Sequence, residues 1–237
     1  MSKIQNKFQK IYSILYDNYG PQGWWPLVGH RGTNPTKTGS VKGYHPGDYS
    51  YPRNSAQRFE ICAGAVLTQN TSWPQVEKAL TALKQKKMLS AKAISSADAD
   101  SIKPLIRPAG YFNQKSAYLK NFTEFFLALG SRVPGRSDVL AVKGVGKETA
   151  DSIMLYAFSQ PEFVVDAYTK RIFSRMGLVS PGAGYDEIKS LFQSNLEQDA
   201  KMFQEYHALI VEHAKRHCRT KPECDGCPVS RLCGHHI

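Results

Sequence analysis

This sequence contains no long apolar run, and it has very little cysteine before its C-terminal end. No segment approaches the eighteen consecutive apolar residues that a transmembrane helix requires. The N-terminal stretch MSKIQNKFQK lacks the apolar core of a signal peptide. Before residue 218 there is a single cysteine, Cys62, on an apolar helical face that predicts an ordinary core position. These absences predict a soluble protein that depends on neither a membrane nor a disulfide scaffold.

Acidic residues are also scarce, because 20 Asp and Glu stand against 31 Lys and Arg in a chain of 237 residues. The resulting pI of about 9.4 suits a polyanionic partner, since neutralising phosphates drives nonspecific affinity for DNA. Basic composition alone is weak evidence for such a partner. A hydrophobic fraction of 41%, with 11% aromatic residues, indicates a globular chain that forms one large domain or two small ones.

Alternation of polar and apolar residues with period two is rare, so an all-α fold is predicted. Apolar residues recur on one helical face of residues 3–18, and Gly20 closes that segment. Ser55 and Ser72 are the predicted N-caps of the next two helices. Further helical patterns cover residues 113–129, 147–158, 166–176, 184–195 and 199–217.

Residues 27–58 break this pattern, because they are dense in Gly, Pro, Ser, Thr and Asn and contain few aliphatic side chains. The composition predicts a long loop. Two interpretations remain open: a disordered insertion, or a loop that faces DNA or covers a pocket. The second is permitted by the aromatic and basic residues of the loop, and neither interpretation is preferred; these residues are Tyr44, Tyr49, Tyr51, Arg31, Lys37, Lys42 and Arg53.

A short glycine loop, Lys143-Gly144-Val145-Gly146, lies between two predicted helices. Its glycines allow a sharp turn and leave backbone N–H groups bare at the start of the next helix, where the helix dipole also favours an anion. With Lys143 and Lys147 beside the turn, the expected ligand is a nucleic-acid phosphate. Taken alone, the loop could equally be an ordinary turn between helices.

The remaining cysteines, Cys218, Cys224, Cys227 and Cys233, form the pattern C-x5-C-x2-C-x5-C at the end of the chain. Four thiolates this close in sequence can surround one tetrahedral zinc ion or one cubane iron–sulfur cluster. Zinc ribbons and fingers usually bring two close pairs from separate turns, whereas here one close pair lies between two outlying cysteines. The pattern predicts a metal site that fixes a basic loop against phosphate.

Several of these strings together resemble a known family. The run LAVKGVGKETA from Leu140 to Ala150, followed by Asp166 in FVVDAYTKR, resembles the helix-hairpin-helix and trailing aspartate of the endonuclease III superfamily of DNA glycosylases. Within that superfamily the chain is most similar to bacterial 3-methyladenine DNA glycosylases of the endonuclease III type. The segments that carry this second similarity are Trp24-Trp25-Pro26 and residues 64–71, 107–115, 143–151 and 165–168.

The cysteines are similar to the C-terminal iron–sulfur loop of endonuclease III and of adenine DNA glycosylase. This similarity implies a [4Fe–4S] cluster held by Cys218, Cys224, Cys227 and Cys233. The family pattern usually has six residues in the first gap and this chain has five, so zinc stays open as the alternative. The better-known alkylpurine enzymes lack such cysteines, so their substrate cannot simply be carried over.

For the fold, the resemblance implies two helical modules that flank a DNA-binding cleft. A six-helix barrel over residues 56–165 would carry the helix-hairpin-helix at its end. Residues 1–55 and 166–237 would form the second module with the metal cluster, and residues 27–58 would be a long loop insertion. The implied partner is double-stranded DNA with a damaged base, bound by a monomer in the cytoplasm, or at the nucleoid if the source is bacterial or archaeal.

The resemblance assigns catalysis to Asp166. Cleavage of an N-glycosidic bond leaves positive charge on the sugar, which a carboxylate near C1′ can stabilise or use to activate water. Asp166 is also suited to cap the following helix, and both roles can hold at once. A flipped base needs an aromatic slot, for which Trp24 and Trp25 are the main candidates and Phe59 and Lys215 the weaker ones. Core packing is the alternative for the three aromatics, and an ordinary surface position for Lys215.

The resemblance also implies a DNA interface. Gln69 matches a glutamine that fills the gap left by the flipped base, although a polar residue at a helix end is the plainer interpretation. The phosphate contacts would come from Lys143, Gly144, Val145, Gly146 and Lys147. Glu148 stands where bifunctional members have a lysine, so no Schiff base with the sugar is expected. Asp151 is interpreted as a surface or structural carboxylate.

The predicted function is therefore a monofunctional DNA glycosylase of base-excision repair that hydrolyses the N-glycosidic bond of alkylated purines. Two alternatives remain open: a bifunctional glycosylase and abasic-site lyase for oxidised pyrimidines, and a non-catalytic DNA-binding module. Asp166 with an aromatic pocket favours an enzyme over a binding module. Glu148 favours the monofunctional enzyme over the lyase.

Overall fold

The fold is all-helical in a computed structural model that describes residues 2–37 and 39–235. Across those residues there is no strand, and one isolated bridge joins Thr33 to Lys42. The all-α prediction is confirmed. The helices are α1 (Lys3–Tyr19), α2 (Ser55–Leu67), α3 (Trp73–Gln85), α4 (Ala91–Ser96), α5 (Ala99–Ile106), α6 (Phe112–Leu129), α7 (Arg136–Leu140), α8 (Lys147–Ser152), α9 (Ala167–Arg175), α10 (Tyr185–Asn195) and α11 (Ala200–Arg216), with short 3-10 turns at Arg107–Ala109 and Ser230–Leu232.

Local sequence explains where several helices begin and end. α1 ends at Gly20, as predicted. The cap of α2 is Asn54, whose side chain accepts the N–H of Gln57, so the predicted cap Ser55 is instead the first helical residue. Asparagine caps a helix as well as serine does, which is why the two neighbours compete. Ser72 precedes α3, as predicted, but its hydroxyl makes no capping bond.

Two groups of helices share one hydrophobic core. In the first group α2 packs on α3, α6 and α8, while α4 and α5 pack on α6. In the second group α11 packs on α1 and α9, and α10 packs on α1. The division into modules of residues 56–165 and of residues 1–55 with 166–237 remains our interpretation of these contacts. Within the described part of the chain, no helix has both the length and the apolar character needed to cross a membrane.

The helix that starts with α8 changes its pitch after Ser152. Residues Ile153–Ala157 form a π-helical turn, in which one extra residue is accommodated per turn. Tyr156 in this turn is buried. Its ring centroid lies 5.4 Å from that of Trp25, and its hydroxyl lies 2.8 Å from Nδ1 of His207 on α11. The π turn thus connects the first group of helices to the last helix.

The loop of residues 27–54 is packed against the helices. Glu60 of α2 accepts the backbone N–H of Val28 near one end of the loop. Tyr49 near the other end donates a hydrogen bond of 2.8 Å to Glu205 of α11. The described residues of this loop are therefore ordered by contacts with both groups of helices. Because α2 begins at residue 55, the predicted loop boundary at residue 58 was four residues too late.

Candidate functional site

Asp166 is the N-cap of α9, so the capping role expected from the sequence is confirmed. Its Oδ1 accepts two hydrogen bonds from Thr169, one from the backbone N at 2.7 Å and one from Oγ1 at 2.8 Å. Its Oδ2 faces α11, where Nε2 of His207 lies 3.5 Å away. Only 12% of the Asp166 side chain is exposed. Capping therefore occupies one carboxylate oxygen and leaves the other directed at His207.

The surroundings of Asp166 favour its charged form. Burial raises the pKa of the carboxyl, but the neighbouring His207, together with both hydrogen bonds from Thr169, outweighs burial and holds the pKa below its ordinary value. The residue is thus a carboxylate at neutral pH in a nearly closed environment. A negative charge with little water around it interacts strongly with a nearby developing cation.

His207 also lines a cavity of about 50 Å³. Trp24, Tyr44 and Lys215 line it too, together with Gln22, Asn34, Ala208, Val211 and Glu212. The structure thus brings two of the predicted pocket residues, Trp24 and Lys215, next to the neighbour of Asp166. Since Asn34 and Tyr44 belong to the loop of residues 27–54, this loop covers a pocket, as one of the two interpretations proposed.

Trp25 and Phe59 do not line this cavity. Trp25 is 4% exposed and stands behind Trp24, with ring centroids 5.0 Å apart. Phe59 is 1% exposed and packs against Phe126 of α6 at 5.2 Å between ring centroids. Phe59 is thus a core residue, because α2 turns this side chain towards α6. Trp25 belongs to the layer that supports the pocket wall.

Two groups in the cavity have unusual surroundings. The indole N–H of Trp24 is buried, and the described part of the chain offers it no hydrogen-bond partner. Burial lowers the pKa of the Lys215 amine, while the charges of Glu212 and Asp166 raise it. The net direction is downward. The cavity therefore combines aromatic surface, a donor without an acceptor, and an amine that loses its proton more readily than usual.

The glycine loop makes a close turn against α6. Gly144 has a φ of +97°, and a Cβ at this position would come within 2.2 Å of the Tyr118 ring, so only glycine fits. The N–H of Val145 donates to Val142 O at 3.0 Å. This N–H is therefore already bonded, contrary to the expectation that the loop leaves it bare. Gly146 is the exposed N-cap of α8. The N–H groups that begin α8 have no partner within the helix and remain the expected phosphate ligands.

Polar contacts tie this loop to its neighbours. Gln69 donates from Nε2 to Gly144 O at 2.9 Å and to Oγ1 of Thr149 at 3.1 Å. The role of Gln69 as a wedge in DNA stays a prediction and requires both bonds to break. Lys147 Nζ lies 2.5 Å from Oδ2 of Asp186, with the side chains 51% and 59% exposed. Such an exposed ion pair is weak, so a phosphate can compete for the lysine.

Asp151 is fully buried, so its interpretation as a surface carboxylate was wrong and its structural role is clear. Arg136 of α7 donates from Nε at 2.6 Å and from Nη2 at 3.0 Å. From α10, Tyr185 donates through its hydroxyl at 2.7 Å and Lys189 through Nζ at 2.7 Å. The Tyr185 hydroxyl also accepts the N–H of Val165 at 3.4 Å, next to Asp166. Asp151 therefore joins the hairpin region to the backbone that carries Asp166.

Glu148 shares an electrostatic environment with Asp166. Partial desolvation and then the negative charge of Asp166 raise the pKa of Glu148 to about 7, while His207 lowers it, although the residue keeps an exposed face. Glu148 thus places a second carboxyl near that of Asp166 at the start of α8. No amine is supplied from the start of α8 except Lys147.

The four C-terminal cysteines line one cavity of about 50 Å³ next to α9 and α11. In the described residues, no three His, Cys, Asp or Glu side chains are close enough to bind a single metal ion. Arg175 donates to Sγ of Cys218 at 3.2 Å, and Nε2 of His213 lies 3.8 Å from Sγ of Cys227. Four thiols are the donor set of an iron–sulfur cluster, and a guanidinium N–H of Arg175 is directed at one of them.

His207 and Tyr156 are the residues of this site that the sequence did not point to, whereas Tyr44 was among the aromatic residues noted in the loop. The one available signal was the position of His207 on the buried face of the pattern over residues 199–217. A histidine on such a face is usually an ordinary core residue. Its contact with Asp166 depends on how α11 packs against α9, which no local pattern specifies.

Comparison with known proteins agrees with this geometry. Residues 63–198 match the family model of the HhH-GPD superfamily base excision DNA repair proteins. A Methanocaldococcus jannaschii protein that carries the provisional name of DNA repair glycosylase is 43% identical, over 97% of this chain and 98% of its own. The chain belongs to this superfamily and is a base-excision DNA glycosylase of the endonuclease III type.

Solved structures show the same fold. A trapped endonuclease III–DNA covalent intermediate superposes with a TM-score of 0.76 at 17% identity, covering 99% of this chain and 97% of that one. The 3-methyladenine DNA glycosylase of Helicobacter pylori, bound to 1,N6-ethenoadenine, superposes with a TM-score of 0.64 at 24% identity, covering 91% and 98%. At these identities the similarity establishes the fold alone.

Proposed function

We propose that this protein is a monofunctional DNA glycosylase that flips an alkylated purine out of duplex DNA and hydrolyses its N-glycosidic bond. The observation that carries the proposal is Asp166, held as a carboxylate in a nearly closed site beside a cavity with aromatic walls. As the base leaves, positive charge develops on the sugar, and the carboxylate stabilises that charge or orients a water.

The absence of lyase activity is proposed from the first turn of α8. A lyase needs an amine that attacks C1′ and forms a Schiff base. Glu148 cannot do so, and Lys147 lies on another face of the helix, paired with Asp186. We therefore expect the enzyme to leave an intact abasic site in an unbroken strand.

The substrate class is proposed from the walls of the cavity. Trp24 and Tyr44 offer electron-rich rings, on which a flat cationic base such as 3-methyladenine stacks well. The Trp24 indole N–H can donate to an acceptor on the edge of the base. The Lys215 amine lines the same cavity and opposes a cationic base while it is protonated; burial lowers its pKa, and the charges of Glu212 and Asp166 raise it.

We also propose that Cys218, Cys224, Cys227 and Cys233 hold a [4Fe–4S] cluster. The cluster would cross-link the end of the chain to α9 and α11, whose Arg175 and His213 contact two of the thiols. Its role is structural, because it fixes a basic segment that faces phosphate. Zinc is the alternative occupant of the same thiols.

Asp166→Asn tests the assignment of catalysis. On duplex DNA methylated with N-methyl-N-nitrosourea, the variant should release almost no 3-methyladenine but bind a duplex with an abasic analogue within a few-fold of the wild type. Turnover near the wild-type rate would remove Asp166 from the mechanism. A panel of oligonucleotides with single defined lesions, run in parallel, decides the substrate class. Release of oxidised pyrimidines without alkylpurines would refute the substrate proposal and leave Asp166 in place.

The bifunctional lyase is the second candidate, and Lys215 is the observation that favours it. Its amine lines the same cavity as His207 and has a lowered pKa, as a Schiff-base lysine requires. Under the monofunctional proposal, borohydride traps no covalent protein–DNA adduct, and strands break only after alkali or heat. If trapping is efficient in the wild type and lost in Lys215→Met, the lyase is the correct function and Lys215 its nucleophile.

A further inference from the structure

His207 lies between Asp166 and the cavity, and no feature of the sequence assigned it a role. It is 8% exposed, and its Nε2 is a buried polar atom with no standard hydrogen bond in the described part of the chain. The polar atom that it faces is Oδ2 of Asp166 at 3.5 Å. A buried imidazole nitrogen without a hydrogen bond destabilises the folded protein. Such unsatisfied buried groups often belong to a functional site.

The other ring nitrogen of His207 is fixed from behind. Nδ1 lies 2.8 Å from the hydroxyl of Tyr156, whose oxygen is also 3.1 Å from Gln204 O. A carbonyl oxygen can only accept, so the tyrosine hydroxyl donates to Gln204 O and itself accepts a hydrogen bond from Nδ1–H of His207. Nε2 then carries a proton when the ring is an imidazolium, and this second N–H is directed towards the carboxylate of Asp166. Tyr156 is itself held by the ring of Trp25 at 5.4 Å.

The Asp166 carboxylate thus depends on His207 for a hydrogen-bond donor to its second oxygen. Thr169 satisfies Oδ1 with two donors, whereas the only donor near Oδ2 in the described residues is Nε2 of His207. The other charged or titratable groups that act on this carboxylate are Glu148 from α8 and Lys215 from α11, with Tyr156 from the π turn. Of these, Glu148 opposes the charge on Asp166. His207 is the group placed to offset that opposition.

We infer that His207 is a positioning residue for catalysis, whose Nε2–H binds Oδ2 of Asp166 and keeps the carboxylate charged and correctly turned towards the sugar. The contact is 3.5 Å without DNA, and we expect it to be shorter in the DNA complex, because catalytic hydrogen bonds often tighten when substrate binds. This inference rests on the proposed role of Asp166, but it holds for any base that the enzyme removes. Removing His207 leaves burial and Glu148 to raise the pKa of Asp166, so the carboxylate becomes protonated at a higher pH.

The test compares two variants, H207Q and H207N, whose side-chain amides each replace one ring nitrogen of His207. In H207Q the amide N–H₂ can reach the place of Nε2 and still donate to Asp166. In H207N the shorter amide can replace Nδ1 and contact Tyr156, but it cannot reach Asp166. A merely structural role for His207 predicts that H207N is at least as good as H207Q, whereas positioning of Asp166 predicts the reverse order.

The readout is independent of the damaged base. Duplexes that carry either a pyrrolidine nucleotide, which is cationic like the transition state, or an uncharged tetrahydrofuran abasic analogue are bound at a series of pH values. The affinity ratio between them reports the charge on Asp166, and tetrahydrofuran affinity reports folding. The wild type should prefer pyrrolidine, H207Q should keep more of this preference than H207N because it retains a donor to Asp166, and D166N should lose the preference. In H207N the preference should disappear at a pH higher by about one unit or more, which is about a tenfold loss below that point.

The outcomes test the role of Asp166 and the role of His207 separately. If D166N keeps the wild-type preference for pyrrolidine, the catalytic assignment of Asp166 fails, and the role of His207 fails with it. If D166N loses the preference while H207N and H207Q both keep the wild-type pH profile, Asp166 stands and the inference for His207 is wrong. The inference is also wrong if the pH at which the preference disappears shifts equally in H207N and H207Q. A donor at the position of Nε2 would then make no difference to Asp166.

Discussion

Asp151→Asn should destabilise the whole protein, although residue 151 touches neither the cavity nor the cysteines. The wild-type carboxylate is fully buried and binds Arg136 and Lys189, whose side chains are 25% and 8% exposed. An asparagine of nearly the same shape keeps the packing and removes the negative charge. Two cations are then left in a site with little water, which is the costly way to break a buried ion pair.

The expected loss of stability depends on which partners Arg136 and Lys189 keep in the variant. Breaking a buried pair by removing one partner costs about 3–5 kcal/mol. Lys189 keeps an ion pair with Glu162, and Arg136 lies 3.7 Å from Asp186, so the lower end of that range applies. For a chain of this size, about 3 kcal/mol corresponds to a fall in Tm of roughly 6–12 °C.

The measurement is thermal and urea unfolding of the anaerobically purified protein, with the cysteine site in the same state in each sample. Asp186→Asn is the matched control, since it removes an exposed carboxylate from the same neighbourhood and should change Tm little. Equal shifts in the two variants would refute the reasoning, because burial would then make no difference. A fall in Tm that vanishes in high salt would refute it as well, since buried pairs are poorly screened.

Two further predictions concern DNA and the cysteines. Lys147→Ala should weaken binding to all sequences about equally and reduce the slope of log affinity against log salt by about one, as measured by fluorescence anisotropy; a loss confined to one lesion would mean that Lys147 reads a base. Anaerobically purified protein should be brown with about four irons and four sulfides per chain, and Cys224→Ser should lose colour and DNA affinity while any remaining folded fraction keeps its chemistry. Stoichiometric zinc in a colourless natively expressed sample would decide for the alternative.

Much of the fold is predictable from local pattern. The period of apolar residues and the closing Gly20 predicted α1, and the glycine loop with its aspartate led to the family. The errors are local too. Asn54 and Ser55 are both good caps, and only the folded chain decides between them.

The site is less predictable, because its residues meet through packing between distant helices. Trp24 and Lys215 were expected in the pocket and line one cavity, but Phe59 was drawn into the core by the way α2 packs on α6. His207 reaches Asp166 across 41 positions of sequence (207 minus 166) without a motif that marks it. Asp151 looked like any mid-helix carboxylate until three partners from two helices surrounded it.

The π turn at Ile153–Ala157 makes the spacing between the hairpin and Asp166 unusually sensitive to length. Each residue advances an α-helix by about 100°, so the additional residue of a π turn rotates everything before it relative to everything after it. Deleting one residue there would let the segment relax to an ordinary helix and would swing Tyr156 away from either Trp25 or His207. A relative with one residue fewer in this turn must therefore support its aspartate by other means, even if every residue that contacts DNA is retained.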